Sequence, residues 1–170
     1  MKILETKRLS LQQVSIDNAE FILALLNEPS FIRNIGDRGV RTLDDARAYI
    51  LNRLVASYEK IGFGMYLVVL KETGELTGLC GLVKRDGLDD VDIGYAFLPK
   101  YWFKGYATEA TLAVKEYAKN SIGLERIVGI TDPANQGSIR VLEKIGLRFE
   151  KMVKLSEDDI DLSLYTVDLT

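Results

Sequence analysis

The chain has 170 residues and a net charge of −3, from 22 basic and 25 acidic side chains, with one cysteine and no histidine. This length fits a single domain, residues 1–170, and the slightly acidic balance argues against a nucleic-acid partner. The missing histidines and the lone cysteine exclude an intrachain disulfide, the usual zinc sites and any Ser-His or Cys-His catalytic pair, so we expect no metal cofactor.

Apolar periodicity and turn residues predict an alternation of strands and helices. In chain order, they predict a strand at 6–13, a helix at 15–27, a helix at 42–58, paired strands at 63–71 and 76–85, a strand at 89–98, a helix at 105–119, a strand at 126–131, a helix from 136 to near 146, and final strands at 147–155 and 160–169. This order indicates one mixed α+β domain around a large sheet.

Individual residues mark the ends of several elements. Ser15 and Thr42 are suited to cap helices, and Asp45 completes a capping-box pattern with Thr42. Pro29 is expected to stop the first helix, and an irregular stretch is expected over residues 30–41. The acidic residues 157–159 predict a turn between the last two strands.

Nothing in the sequence points to a membrane. No apolar run approaches the length of a membrane-spanning helix. The first eight residues lack the apolar core of a signal peptide. We therefore expect a cytoplasmic protein with no membrane partner.

The segment Pro99–Ala110 leads from a strand into a helix. The first amides of a helix have no intrahelical acceptors, and the helix dipole adds partial positive charge there. Small residues at Gly105 and Ala107 let a phosphate approach the backbone, and Lys104 adds a positive charge. The segment suits an anion site, but a glycine before a helix is common, and on these residues alone a plain strand-to-helix turn is the favoured interpretation.

The segment Asn135–Leu147 begins a second helix, with an amide and a hydroxyl side chain in its first turn. Asn135 by itself is interpreted as an N-cap, a role that asparagine favours. The segment gains meaning only in combination with Pro99–Ala110.

Together the two segments resemble the GNAT superfamily of acyl-CoA N-acyltransferases, in the branch of the ribosomal-protein alanine and serine N-acetyltransferases. Pro99–Ala110 matches all but one specified position of that branch's phosphate loop, Pro-x-x-Trp-Gly-x-Gly-Tyr-Ala-Thr-Glu-Ala. The branch's Asn-x-x-Ser and Glu-Lys-x-Gly patterns are met at 135–138 and 143–146. Residues 5–11 and 161–165 also resemble the branch, so the resemblance covers nearly the whole chain.

The resemblance implies a mostly antiparallel, twisted sheet flanked by about four helices and splayed open beside the strand that ends at Leu98. Acetyl-CoA is the implied co-substrate, with its pantetheine arm along the free strand edge near Phe97 and Leu98. Its pyrophosphate would lie on 104–108, Asn135 would bond the pantetheine, and Ser138 would lie near the sulfur. The implied cofactor contacts on the loop and the second helix are Trp102, Phe103, Lys104, Gly105, Tyr106, Ala107, Thr108, Asn135 and Ser138.

Three positions depart from the family pattern. Phe103 replaces a glycine, and we expect an ordinary backbone there, with the ring covering the cofactor or a neighbouring subunit. Leu142 stands where many members place a tyrosine thought to protonate the departing thiolate, so that role passes to Ser138. Leu147 replaces a phenylalanine, which is a conservative apolar change.

Two carboxylates are candidates for the general base that deprotonates the attacking amine. Asp92 occupies the place of a carboxylate common in this branch, and Glu157 lies where some relatives place a base. Each has a simpler interpretation, since Asp92 could be a solvated strand residue and Glu157 a turn acid. A water chain to solvent could also carry the proton.

Other residues have more modest interpretations. Cys80 is expected to be a small buried hydrophobe, and Tyr95 and Trp102 are interpreted as packing residues rather than catalysts. The acceptor pocket is expected to draw on 34–41 and the far edge of the sheet. Asp37 could attract a cation there or serve as a turn residue.

The expected activity is transfer of an acetyl group from acetyl-CoA to a primary amine, either a protein N-terminus or a small molecule. We expect direct attack in a ternary complex, with a backbone amide near Phe97 polarising the thioester carbonyl. The chain would act as a monomer or homodimer. The alternative is a non-catalytic acyl-CoA-binding sensor or partner module, which would show no thioester turnover with any amine.

Overall fold

The computed structural model describes residues 1–157 and 159–170, so Asp158 of the predicted acidic turn lies outside the described residues. Alternating apolar segments form eight strands of one sheet. The strands are β1 Lys2–Glu5, β2 Leu9–Gln12, β3 Met65–Leu70, β4 Leu76–Val83, β5 Val91–Phe97, β6 Arg126–Thr131, β7 Arg148–Val153 and β8 Leu162–Asp168.

Six α-helices flank the sheet within the described residues, and α3, a π-helical turn at Ile50–Val55 and α4 follow one another without a break, so that they form five segments. Short 3-10 helices lie at Ile16–Asn18, before α1, and at Pro99–Tyr101, after β5. The helices are α1 Ala19–Leu26, α2 Pro29–Asn34, α3 Leu43–Tyr49, α4 Ala56–Ile61, α5 Tyr106–Tyr117 and α6 Gln136–Lys144. A second π-helical turn, Ala118–Ile122, extends α5. Over the described part of the chain, no helix combines the length and the apolar character needed to cross a membrane.

Two predictions for the N-terminal third are wrong. Residues 2–5 form β1, antiparallel to β2, although no strand was predicted before residue 6. Residues 30–41 are not irregular throughout, because α2 begins at Pro29. Proline has no amide hydrogen and a fixed φ, which suit the first position of a helix. Pro29 therefore ends α1, as expected, and also starts the next helix.

The order of the strands in the sheet is β1-β2-β3-β4-β5-β6-β8-β7, and every neighbouring pair is antiparallel except β5 and β6. These two parallel strands pair only at Val91 with Ile127 and at Asp92 with Val128. Beyond Asp92 they separate, while β5 stays paired with β4 as far as Phe97. The predicted mostly antiparallel, splayed sheet is confirmed.

Side chains of β5 alternate between two apolar clusters on opposite faces of the sheet. Ile93 and Phe97 pack in the cluster that contains Val114 of α5. Ala96 packs in the other cluster, which contains buried residues of α1, α2 and α3. We call these the α5 face and the α1–α3 face. Asp92 has the same parity as Ala96, so it lies on the α1–α3 face.

Candidate active site

A cleft of about 860 Å³ opens where β5 and β6 part. Its walls come from β5, the loop before α5, the first turn of α6, and α2 with the π-helical turn after α3. Ten of the residues proposed for the site line it: Asp92, Phe97, Trp102, Phe103, Gly105, Tyr106, Ala107, Thr108, Asn135 and Ser138. Leu98, Lys104 and Glu157 are not among its lining residues.

The free edge of β5 follows from its hydrogen bonds. The Leu98 amide donates to the Thr77 carbonyl at 3.0 Å, so even-numbered residues direct their backbone groups toward β4. Because this direction alternates along an antiparallel strand, Tyr95 and Phe97 direct theirs toward the cleft. The Trp102 indole Nε1 donates to the Phe97 carbonyl at 2.9 Å. The Phe97 amide is therefore an edge group, and the Leu98 amide is not.

The start of α5 forms a second wall of the cleft. Gly105 precedes the helix with a left-handed φ of 81°, a conformation that glycine adopts without steric cost. The first backbone bond of the helix runs from the Glu109 amide to the Gly105 carbonyl, so the amides of residues 106–108 have no partner inside the helix. Such a helix start can bind an anion.

The N-terminal segment holds this helix from behind through Glu109. That carboxylate accepts hydrogen bonds from the Arg8 amide at 2.9 Å, from Arg8 Nε at 2.7 Å and from Thr6 Oγ1 at 2.5 Å. Burial by itself would raise the pKa of Glu109, but these hydrogen bonds outweigh it and lower the pKa. The contact joins residues about a hundred positions apart, so local sequence patterns gave no sign of it.

Arg8 also orients the loop that precedes α5. Its guanidinium donates to the Lys104 carbonyl at 2.9 Å and lies 4.5 Å from the centre of the Tyr106 ring. In a trans peptide the carbonyl and the next amide point in opposite directions. Arg8 therefore turns the Gly105 amide away from its own guanidinium. Lys104 takes part through its carbonyl, which Arg8 holds, and its side chain does not line the cleft.

The expectation of an ordinary backbone at Phe103 is wrong. Its φ is 61°, and it is the one non-glycine residue of the described chain with a positive φ. This conformation costs a residue with a Cβ atom about 1–2 kcal/mol, which explains why the family pattern has glycine there. The ring is 99% exposed and meets Trp102 edge-on, so packing against the core does not explain a phenylalanine at this position.

Asp92 is buried, with 1% of its surface exposed, so its interpretation as a solvated strand residue is wrong. One carboxylate oxygen accepts from Arg85 Nε at 2.7 Å, and the other has no hydrogen-bond partner among the described residues. Burial raises the pKa of Asp92 to about 6, although Arg85 opposes the shift. The nearby Ile130 amide also opposes the shift. Asp92 is thus a carboxylate buried in the wall of the cleft, with a raised pKa and one oxygen without a partner among the described residues that meets the distance and angle of a hydrogen bond.

The first turn of α6 faces β5 across the cleft. Asn135 caps the helix, with its side-chain oxygen accepting from the Ser138 amide at 3.2 Å. Burial raises the pKa of Tyr95, and the nearby Ser138 side chain opposes that shift. Tyr95 packs against the core as expected, but it also lines the cleft beside Ser138, which the sequence analysis missed. Leu142, at the position of the family's tyrosine, is buried, and its apolar side chain has no proton to donate to a thiolate.

The segment predicted to form the acceptor pocket, residues 34–41, lines the cleft only in part. Asn34 and Arg38 line it, whereas Asp37 pairs with Arg41 and accepts a bond from the Gly39 amide. Asp37 is thus a turn residue. Cys80 is fully buried, as predicted, and burial raises the pKa of its thiol. In residues 1–157 and 159–170, no three His, Cys, Asp or Glu side chains are grouped as a metal site requires.

Comparisons with known proteins agree with this geometry. The family model for the acetyltransferase (GNAT) domain matches residues 8–148. The uncharacterized N-acetyltransferase YnaD of Bacillus subtilis is 32% identical over 149 residues, which cover 88% of this chain and 84% of YnaD.

Solved structures share the fold over nearly the whole chain. An acetyltransferase of the GNAT family from Bacillus anthracis superposes with a TM-score of 0.81 at 27% identity, covering 99% of both chains. RimL, a ribosomal L7/L12 α-N-protein acetyltransferase solved in complex with coenzyme A, superposes with a TM-score of 0.85 at 16% identity, covering 99% of this chain and 98% of RimL. The chain therefore belongs to the GNAT acetyltransferase family, and it is an acyl-CoA-dependent acetyltransferase.

Proposed function

We propose that this enzyme transfers the acetyl group of acetyl-CoA to a primary amine by direct attack within a ternary complex. The observation that carries this proposal is the position of Asp92. This buried carboxylate, one oxygen of which has no hydrogen-bond partner among the described residues, lines the same cleft as the free edge of β5 and the starts of two helices. A base, a strand edge for the pantetheine and a helix start for the pyrophosphate are the parts that such a transfer needs.

Acetyl-CoA would bind along the splay. The pantetheine amides would pair with the free edge of β5 around Tyr95 and Phe97, as an added strand does. The pyrophosphate would accept hydrogen bonds from the amides at the start of α5, which Arg8 holds in place. Asn135 is expected to contact the pantetheine, since its role as a cap uses only the side-chain oxygen.

The attack would come from the α1–α3 face. There the amine nitrogen forms the new bond to the acetyl carbon, and Asp92 takes up the proton that the amine loses. The carbonyl oxygen becomes an oxyanion, which the Phe97 amide can stabilise from the strand edge. Glu157, which does not line the cleft, is not supported by its position as the base.

The thiolate would leave toward α6. When the tetrahedral intermediate collapses, the carbon–sulfur bond breaks and the sulfur carries the negative charge. Ser138 lies in the first turn of α6, where its hydroxyl and the helix dipole can both stabilise that charge. Tyr95 lies beside Ser138 and can support it from β5. Attack and departure then occur on opposite faces of the strand.

The direct test is an assay of free CoA released from acetyl-CoA in the presence of a panel of amines, with mass spectrometry of the product. We expect release that depends on the amine and a product heavier by one acetyl group. Propionyl-CoA in the same assay measures tolerance for the acyl chain. Acetyl-CoA binding without turnover for any amine would instead favour a non-catalytic acyl-CoA-binding protein.

The pyrophosphate site can be tested by comparing Gly105→Glu with Gly105→Ala. Both variants place a side chain on a left-handed residue, so they share its strain. Only glutamate adds a negative charge at the helix start, where it would also attract the Arg8 guanidinium, 3.3 Å from the position of a Cβ at 105. We expect Gly105→Glu to bind acetyl-CoA at least tenfold more weakly than Gly105→Ala by calorimetry, because like charges would meet at the helix start. Equal affinities would place the pyrophosphate elsewhere.

The buried state of Asp92 predicts an unusual dependence of stability on pH. In the unfolded chain its pKa is near 3.8, and in the folded protein it is about 6. The folded state therefore binds a proton more tightly, so stability falls as pH rises from about 4 to about 6 and then levels off. Relative to wild type, Asp92→Asn should gain up to about 3 kcal/mol of unfolding free energy across that window.

Urea denaturation between pH 4 and pH 8 measures this difference. Asp37→Asn is the control, because the Asp37 hydrogen bond with Arg41 lowers its pKa below 3.8, so its contribution to the pH dependence lies below this window and the difference from wild type should be flat within it. If Asp92 is the base, kcat/KM of the wild type should rise through pH 6, and Asp92→Asn should lose that rise. A wild-type minus Asp92→Asn profile that is flat in pH would contradict the buried-carboxylate interpretation.

Ser138→Ala tests assistance to the departing sulfur. A thiolate is already a fair leaving group, so we expect kcat to fall at the low end of the roughly 10²–10⁴-fold range of general acid catalysis. Acetyl-CoA affinity should stay nearly unchanged, as expected for an interaction made mainly in the transition state. Ser138→Thr keeps a hydroxyl and should retain most of the rate. An unchanged single-turnover rate in Ser138→Ala would reduce Ser138 to a helix-start residue.

A further inference from the structure

The cleft carries a charge opposite to that of the chain as a whole. Although acidic residues outnumber basic ones by three, the cleft wall holds seven lysine and arginine side chains and, among the described residues, a single carboxylate, Asp92. An anionic cofactor explains part of this excess. The cations that neither the cofactor nor a contact within the protein accounts for are the ones available to a second ligand.

Four of the seven have another role. Arg140 and Lys144 lie on α6, beside the expected path of the cofactor. Lys84 Nζ donates to two backbone carbonyls of the loop before β5, at 3.0 and 2.8 Å. Arg85 is held by Asp92. Three arginines remain to be explained: Arg33, Arg38 and Arg53.

These three arginines are exposed and, within the part of the chain that the structure describes, none of them forms an ion pair. Nearby arginines behave differently, since Arg41 pairs with Asp37 at 2.5 Å and Arg47 pairs with Asp44 at 2.8 Å. Carboxylates thus neutralise the neighbouring Arg41 and Arg47, whereas Arg33, Arg38 and Arg53 have no such partner among the described residues.

Their location separates them from the proposed site of the cofactor phosphates. Arg33 lies on α2, Arg38 follows it, and Arg53 lies in the π-helical turn. Phe31, Val40 and Leu54, each within two residues of one of these arginines, pack in the cluster of the α1–α3 face. The helix start proposed for the pyrophosphate belongs to α5, which packs on the α5 face. Asp92, the proposed base, points toward the same face as the three arginines.

We infer that the acceptor is a small primary amine that also carries an anionic group, a carboxylate or a phosphate, with its nitrogen at Asp92 and its anion among Arg33, Arg38 and Arg53. This inference rests on the proposed function and narrows its substrate class. The arginine fork matches carboxylate and phosphate oxygens, and a cleft wall with one paired acid does not favour a polycation. The two ends of the acceptor would fix its orientation for attack.

The test compares amines that differ only in the anion. The pairs are 4-aminobutanoate with butylamine, glycine with ethylamine, and O-phosphoethanolamine with ethanolamine, each assayed for acetyl transfer with saturating acetyl-CoA. We expect kcat/KM to favour the anionic member by roughly tenfold or more in at least one pair, as charge-assisted hydrogen bonds provide. The pairs separate carboxylate from phosphate as the preferred anion. Added salt should shrink the preference.

Arginine variants locate the anion site. Arg33→Gln, Arg38→Gln and Arg53→Gln, alone and combined, should raise KM for the anionic amine and leave the neutral amine and the acetyl-CoA Kd within about twofold. Arg148→Gln is the control, because Arg148 is exposed on β7, away from the cleft, and has no ion pair among the described residues. It should change none of these values.

The outcomes distinguish this inference from the proposed function. If no amine is acetylated, the proposed function fails. If neutral or polycationic amines react as well as anionic ones, the inference is wrong and the proposed function stands. The inference is also wrong if the triple variant keeps the anion preference, or if it weakens acetyl-CoA binding instead, since the arginines would then serve the cofactor.

Discussion

The parallel contact between β5 and β6 covers two residue pairs, and the site depends on where that contact stops. A strand edge left without a neighbour presents backbone donors and acceptors that must find other partners. Here that edge faces a cleft, so an extended molecule with amide groups can take the place of the missing strand. The same separation lets Asp92 remain buried with one oxygen unsatisfied.

A second constraint acts on the loop before α5. Its backbone has a left-handed φ at Phe103 and at Gly105. These two conformations alone do not fix the position of the loop. The bonds from Arg8 to the Lys104 carbonyl and to Glu109 fix its position from outside the cleft. The N-terminal segment thus organises the helix start in advance, which lowers the entropy lost when a ligand binds. A contact between α5 and the segment that joins β1 to β2 thereby becomes part of the site.

Features set by local chemistry were predictable from the sequence. The caps at Ser15, Thr42 and Asn135, the paired strands β3 and β4, and the extent of β6 all follow from side chains next to each other in the chain. The splay and the ligand-binding segments were expected from the family resemblance rather than from periodicity.

Features set by distant contacts were not predictable. Nothing near Arg8 in sequence points to Glu109, and Asp92 looks like a solvated strand residue until β6 and Arg85 are placed around it. The left-handed φ of Phe103 was missed for a different reason, because a phenylalanine normally argues against that conformation. The glycine that the family has at that position indicated a left-handed φ, but the phenylalanine in this chain favoured an ordinary backbone.

Trp102 is the single tryptophan of the chain, and its indole nitrogen is bonded to the edge strand of the cleft while 37% of its surface meets solvent. The emission of an indole depends on its hydrogen bonding and on the polarity around it. The ultraviolet fluorescence of this protein therefore originates mainly at the mouth of the cleft, with no second indole to obscure it. Binding of a ligand along β5 can therefore be followed by Trp102 fluorescence, without an added label.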